Sequence, residues 1–520
     1  MVRFSHMVFD DRANVKGSGD NSKVAVVALF ATLFVLCATS VAAYIRVSMK
    51  DEDMEISAEG KVSRGNSQAS ITRDDSGLGL STGRRPTRLA RRSTIAIVES
   101  RMKTWNIDDN NETMGRFTFV VNMFADLCPP GFLPLANGLA KTGYIPGFII
   151  LLVFYSLCVY TMFVIARTAE ITGAKDFAGQ WGKTIGQRTS WVPVAVVVLV
   201  CFGCNLAYSC FFADIFSGVM PAFGLRLSRA NCLLAFTLFP LLPLCLLKNL
   251  SALSHSSTFA LFAVLYTTAV MVVRSLDGSY LPGGWYIRDV PTTLSPKVPS
   301  EHLFGFGWPS LSLVNCLAVA FLSHYNGCKY YRELERHTPS KLLHCTATAM
   351  GICVLLFAVT MVAGFQTFGS NADAVILQNY SEKDTLVNFA RFGVGLSIIA
   401  SFPLMFSGLR EAVIVLLKQL GPQCASDWDT IWRQDVLSMC LLALITVAAL
   451  VVTDTSVVVG LVGAICGSAI IYIVPCSLYA ASIHAFLTNA NAMTVVWLKC
   501  LILLGVVLAV GGSLSTLSPP

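Results

Sequence analysis

Charged side chains are scarce in this sequence. Lys and Arg number 38, Asp and Glu 31, and together they make up 13% of 520 residues, about half the ~25% typical of soluble domains. So few charges cannot clothe the surface of a water-soluble chain this long, which excludes an ordinary globular protein. Catalytic signatures are absent too: there is no GxSxG, no HExxH, and no pair of carboxylates at apolar depth, so no catalytic residue is assigned and no enzymatic activity is expected. The 17 cysteines lack metal spacing. Cys201 and Cys204 lie i, i+3 on one helix face with no second pair elsewhere, and these, Cys210, Cys316, Cys353, Cys466 and Cys500 read as small core hydrophobes. No metal and no cofactor is expected. The net charge of +7 sits mostly in one polar segment and in short loops, which suits membrane orientation better than a nucleic-acid partner.

What is abundant is apolar sequence. Runs near the ~20 residues that cross a bilayer recur at Val24 to Ile45, Phe117 to Ala140, Pro146 to Ala166, Val192 to Phe216, Asn231 to Leu247 and Thr258 to Val273. A second set covers Pro309 to Ser323, Leu342 to Ala363, Leu386 to Leu409, Val436 to Thr453, Ser456 to Ala480 and Val495 to Ser513. None alternates with the period of a strand, and lipid demands internally satisfied backbone, so each is a helix. The expected fold class is an all-α polytopic membrane protein. Its parts are a short polar N-terminus (1–23), an extra transmembrane helix (24–45), a disordered and cytosolic tail (46–115), an eleven-helix domain (116–513) and a short C-terminal tail (514–520). The polar tail contains "RRPTRLARRST", in which Arg84, Arg85, Arg88, Arg91 and Arg92 precede Ser93 and Thr94, an arrangement that suits either a kinase site or a topology signal. With that tail cytosolic, the Lys- and Arg-rich loops around Arg167 to Arg188 and Lys329 to Lys341 are cytosolic as well. The sequon Asn379-Tyr380-Ser381 then falls outside, open to glycosylation, and Asn111-Glu112-Thr113 falls inside.

The run "RFTFVVNMFADLCPPGFLPLANGLA" holds an acid, paired prolines and a glycine at its centre. Pro129 and Pro130 remove two backbone donors and Gly131 is permissive, so the helix is expected to break between Cys128 and Gly131. Freed amides near Gly131 to Leu133 suit an anionic group, and freed carbonyls near Asp126 to Cys128 suit a cation; together they suit a zwitterion. A simple proline kink is the plainer alternative. Five helices further on, Ser323-His324-Tyr325-Asn326-Gly327 interrupts a second run, the spacing of a five-plus-five inverted repeat.

The stretch "AFLSHYNGCKYYREL" resembles the sixth-helix signature of the amino acid/auxin permease family, above all its sodium-coupled neutral amino acid transporter branch, with Phe321, Ser323, His324, Tyr331, Glu333 and Leu334 at the signature positions. "GFLPLANGLAKTG", "PLLPLCLLKNLSALSHSSTFAL", "GFQTFG" (Gly364 to Gly369) and "VGAICGSAIIYIVP" (Val462 to Pro475) resemble further family motifs, so the similarity spans Arg116 to Ser513. It implies an eleven-helix transporter of the amino acid, polyamine and organocation superfamily, ten helices forming a leucine-transporter-like inverted repeat. It also implies that Tyr208, at the place of a family tyrosine on the third helix, faces the substrate. The expected substrate-binding residues are therefore Cys128, Pro129, Pro130, Gly131, Phe132, Tyr208, Phe321, Ser323 and His324.

The sequence departs from the family pattern at the ion. Ala125 stands where the family has a sodium-associated asparagine, and on the eighth helix only Ser401, ahead of Pro403, keeps a hydroxyl. Asp126, next to the lost asparagine, either couples a proton or replaces the lost ion ligand, the plainer alternative being that it caps the half-helix or meets a buried donor. Asp126 and Ser401 are the ion-coupling candidates, with H+ or Na+ as the partner ion. Glu333, near Arg332 and Arg336, is read as a gate or an ion pair, while Asp214 and Arg391 look too shallow to matter. The expected function is alternating-access transport of neutral amino acids, secondary active or facilitative, in a plasma or vacuolar/lysosomal membrane. The alternatives are a sodium-coupled symporter and an amino acid sensor signalling through its N-terminal tail.

Overall fold

The computed structural model describes residues 114–247, 256–297, 303–305, 307–420, 431–452, 454–486 and 492–518. The first apolar run (24–45), the basic tail with Ser93 and Thr94, and the sequon at Asn111 lie outside the described residues. Among the described residues every regular element is helical. In chain order these are α1 (Arg116–Gly131), α2 (Leu135–Ala140), α3 (Tyr144–Thr172), the short α4 (Phe177–Thr184), α5 (Trp191–Val219), α6 (Arg229–Leu246), α7 (Ser256–Leu276), α8 (Leu311–Ala320) and α9 (Gly327–Glu333). They continue with α10 (Pro339–Phe368), α11 (Thr385–Leu420), α12 (Ile431–Val451), α13 (Thr455–Phe486) and α14 (Ala492–Leu517). Among the described residues, nine helices are long and apolar enough to cross a membrane by length and composition. The pairs α1–α2 and α8–α9 make up two further runs, each interrupted near its middle.

Packing partners repeat with a shift of five spans. The pair α1–α2 packs on α7 as α8 packs on α13; α7 packs on α10 as α13 packs on α3; α7 packs on α11 as α13 packs on α5. Likewise α1–α2 meets α10 as α8–α9 meets α3, while α3 with α10 and α5 with α11 are pairs that the shift maps onto themselves. Five spans is an odd number, so the second half enters from the opposite end of the bundle, and the repeat is inverted. The last helix, α14, stands outside this scheme and only 17% of its most apolar window is buried. Leu503, Val507 and Val510 on it are exposed, as a lipid-facing helix requires.

Close packing of small residues seats α13 against α8. A Cβ on Gly463 would run into the backbone of Asn315, and one on Gly467 would lie 2.7 Å from Ala318 Cβ, the small-residue packing that lets membrane helices touch. Here α13 carries two π-helical stretches, Val462–Gly467 and Ala469–Ile473. Asn315 fastens the same corner to α14, its amide donating to Gly512 O at 3.0 Å and to Thr516 Oγ1 at 3.2 Å. Fourteen cysteines among the described residues are free, and all but Cys440 and Cys500 are buried. Cys500 therefore departs from the expectation of a core residue, because α14 turns that face outward.

Candidate functional site

The first interruption falls three residues later than the paired prolines suggested. α1 continues through Pro129 and Pro130 to Gly131, and the chain leaves the helix at Phe132 to Pro134. Pro129 and Pro130 deprive the carbonyls of Ala125 and Asp126 of their intrahelical donors, yet the helix runs one residue past them. Pro134 follows the turn and stands at the N-cap of α2, where a missing backbone donor costs little. The side chains of Cys128, Pro129 and Pro130 lie outside the described set. Phe132 is 1% exposed and Leu133 is buried. Gly131 has its own reason to be small, since a Cβ would stand 2.8 Å from Ala320 Cα and 3.3 Å from Ala320 O. Ala320 ends α8, so the two interruptions abut directly at this pair.

On the other side of the contact the chain leaves α8 at Phe321, passes Ser323 and a short 3-10 turn (His324–Asn326), and re-enters helix at Gly327. Phe321, Ser323 and His324 are completely buried. His324 faces α3. The Thr161 hydroxyl donates to Leu157 O or Cys158 O (3.0 and 3.2 Å), which leaves its oxygen to accept from His324 Nε2 at 2.9 Å. With the proton on Nε2, Nδ1 is an acceptor, and it has no partner among the described residues; the same holds for the Ser323 hydroxyl. Two unmatched polar atoms in a dry core are costly unless something else meets them. Phe321 extends this wall, packing on Phe154 (6.1 Å) and edge-on to Phe357 (5.3 Å).

Asp126 meets donors from the partner interruption. Tyr325 donates its hydroxyl to Asp126 Oδ1 at 2.7 Å and Tyr330 donates to Oδ2 at 3.0 Å. Phe119, one face of α1 earlier, packs on the Tyr330 ring at 5.2 Å. At the tail end of the same pair, Met114 N donates to Glu333 O (2.7 Å) and Glu335 N donates to Met114 O (3.1 Å). Tyr208 on α5 is buried and within electrostatic reach of Asp126 and Tyr325. Asn205, one turn before it, donates to Cys201 O, and its buried Oδ1 has no partner among the described residues. Ser401 is half-buried in the middle of α11, two residues ahead of Pro403, and α11 packs on α1. The residues singled out in the sequence thus divide: Asp126 and Tyr208 gather on the α5 side of the interruptions, while His324 is turned toward α3.

The far end of the interruptions is covered by the segment between α10 and α11. Ile376, Leu377 and Asn379 are completely or almost completely buried. Ile376 N donates to Leu133 O at 3.4 Å, taking up a carbonyl freed by the break, and Asn137 donates to Ala372 O at 2.7 Å. Arg391, 2% exposed, fixes this cover by donating to Leu377 O (2.8 Å), Tyr380 O (2.7 Å) and Asn388 Oδ1 (2.8 Å). Asp214 accepts from Arg229 at 2.6 Å and from Thr455 at 2.6 Å, tying α5 to α6 and α13. Both residues are tied into the fold at this far end; hydropathy cannot show that a loop folds back over them. Asn379 corrects a second expectation. Its Nδ2 is engaged by Leu294 O (3.1 Å) and Asn371 O (2.8 Å) and the residue has no exposed surface, so a glycan does not fit there. Glu333 pairs loosely with Lys329 at 3.9 Å rather than with Arg332 or Arg336.

The family model for transmembrane amino acid transporter protein matches residues 112–518. The chain belongs to that family. Among its relatives, vacuolar amino acid transporter 5 of Schizosaccharomyces pombe is 24% identical over 73% of this chain and 87% of that protein. A Danio rerio protein provisionally named sodium-coupled neutral amino acid transporter 11 is 24% identical over 56% of this chain and 63% of that protein. Amino acid transporter AVT6E of Arabidopsis thaliana is 22% identical over 66% and 71%. The crystal structure of MhsT in complex with L-phenylalanine aligns with 78% of this chain and 100% of that chain at 12% identity and a TM-score of 0.48, a likeness too remote to carry weight.

Sequence reasoning gave no role to Tyr325 and Tyr330, the donors to Asp126. A tyrosine in an apolar run reads equally as core or as donor, and only the fold shows which atom it reaches.

Proposed function

We propose that the chain transports small neutral amino acids by alternating access, with the substrate bound where the two interruptions abut and with protons as the coupling ion. The observation that carries this reading is the contact of Gly131 with Ala320, which brings two broken backbones together in the bundle interior. Backbone amides and carbonyls released by such breaks suit the carboxylate and ammonium of a zwitterion. The buried and unpartnered Ser323 hydroxyl and His324 Nδ1 beside the second break supply polar capacity for a guest. Phe132 and Phe321 supply apolar walls that favour an uncharged side chain.

The ion assignment rests on oxygen supply. Ala125 offers no side-chain oxygen and Ser401 offers one, whereas hard cations bind through several oxygens. Asp126 is the carboxylate nearest the break, and an acid at that depth is suited to carrying a proton. The test is uptake of a labelled amino acid panel into proteoliposomes under separately imposed sodium and proton gradients. Uptake driven by an inward proton gradient without sodium is expected. A strict sodium requirement would overturn the ion assignment, and a panel that neither binds nor moves would overturn the substrate class.

A further inference from the structure

Asp126 is the only acid between Arg116 and Ala140, and both of its oxygens are taken by phenols of the second interruption. Those phenols belong to the turn before α9 and to α9 itself, so the carboxylate ties α1 to the half-helix that follows the second break. Further contacts between the two half-helices lie along the same seam: Phe119 against Tyr330 midway and the Met114 bridge to Glu333 and Glu335 at the end. Of these ties, only the one at Asp126 depends on a group that can gain or lose a proton.

We propose that Asp126, Tyr325 and Tyr330 form a latch between α1 and α9 that protonation of Asp126 releases. This rests on the proton-coupled reading above and names two positioning residues for it. An ionised carboxylate accepts both phenolic hydrogens. A proton taken from the aqueous side onto either oxygen converts that oxygen to an O–H donor, and the phenol whose hydrogen points at it must turn away. One of two charge-assisted bonds, the stronger kind, is lost and the other is weakened, so α1 can leave α9. Loss of the proton to the opposite side restores both bonds and closes the seam.

The surroundings leave Asp126 as the switching group. From the turn before α9 the neutral Asn326 side chain also bonds to it; from α9, Lys329 acts on it electrostatically and Glu333 lies near Tyr330; from α5, Tyr208, Cys201 and Cys204 are in range. α8 carries no charged residue, and the charged residue of α7, Arg274, is bonded to Asp384 at the far end. On α10, Lys341 and His344 stand in the first turns and meet Glu335 O and Ser340 O. On α11, Arg391 holds the cover, Arg410 donates to Cys245 O, Glu411 is exposed and acts on Cys201, and Lys418 lies near the tail-end terminus.

The experiment measures uptake against pH in proteoliposomes for wild type, Tyr325→Phe and Tyr330→Phe. Each variant removes one bond to the ionised form while keeping the ring, so the pH at half-maximal uptake should rise by about one unit in each. A second measurement needs neither variant: Met123→Cys, in a background with Cys37, Cys128, Cys424, Cys440 and Cys500 replaced by Ser and with that background protein as the control, is reacted with a hydrophilic thiol reagent. Met123 is fully buried on α1, and its labelling should accelerate at least tenfold as pH falls through the uptake midpoint. Proton-driven uptake whose profile is unchanged in both tyrosine variants, or labelling independent of pH, overturns the latch and leaves proton coupling standing. Uptake indifferent to the proton gradient in wild type overturns both.

Discussion

Gly131→Ala is the sharpest perturbation of the site, because it adds a single methyl where α1 meets α8. The new Cβ would sit 2.8 Å from Ala320 Cα, whereas carbon atoms rest at about 3.5–4.0 Å, so the half-helices must separate by roughly 1 Å. Overpacking of this kind costs about 1–3 kcal/mol. With an unfolding entropy of about 2 cal/mol/K per residue over the matched segment 112–518, the midpoint should fall by about 1–4 °C. Transport should suffer more, by about ten- to a hundredfold, since a displacement near 1 Å at a binding centre has effects of that size. Thermal unfolding in detergent and uptake in proteoliposomes are read on the same preparation. Adding Ala320→Gly removes the contact at 3.2 Å to its Cβ but leaves the Cα, so it should restore uptake in part. A Gly131→Ala protein with wild-type midpoint and wild-type uptake would refute the close contact, and a double variant with no recovery would refute its steric origin.

Two other outcomes follow from the cover over the breaks. Arg391→Met leaves the carbonyls of Leu377 and Tyr380 buried without their donor, a loss of about 3–5 kcal/mol; a lower unfolding midpoint and faster proteolysis between Gly369 and Asp384 are expected, with Arg391→Lys recovering less than half, and a wild-type midpoint would contradict the assigned role. Folded, transport-competent protein should carry no glycan at Asn379, since all its amide atoms are engaged inside the fold; a mass shift at that peptide after glycosidase treatment would show that the segment opens.

Much of the architecture was written in the sequence by itself. Scarce charge and recurring apolar runs dictate helices in lipid, because backbone groups there have no water to bond; all eleven runs from Phe117 onward are helical among the described residues. The second interruption was legible in Ser323 to Gly327, and the first in Asp126 to Pro134, since proline and glycine act on the chain within a turn of where they stand. Local chemistry did not settle where α1 ends: the helix passes Pro129 and Pro130, stops at Gly131, and Pro134 caps α2 after the turn. Only the tertiary structure decided the partners. Gly131 is small because Ala320 approaches it from 189 positions away in the chain. Asp126 belongs to Tyr325 and Tyr330, and Arg391 is buried because the segment after α10 folds back over the breaks. Hydropathy reports how deep a residue lies in the bilayer, but which atom it faces is set by the packing of helices far apart in sequence, and a single chain read in one dimension carries no trace of that.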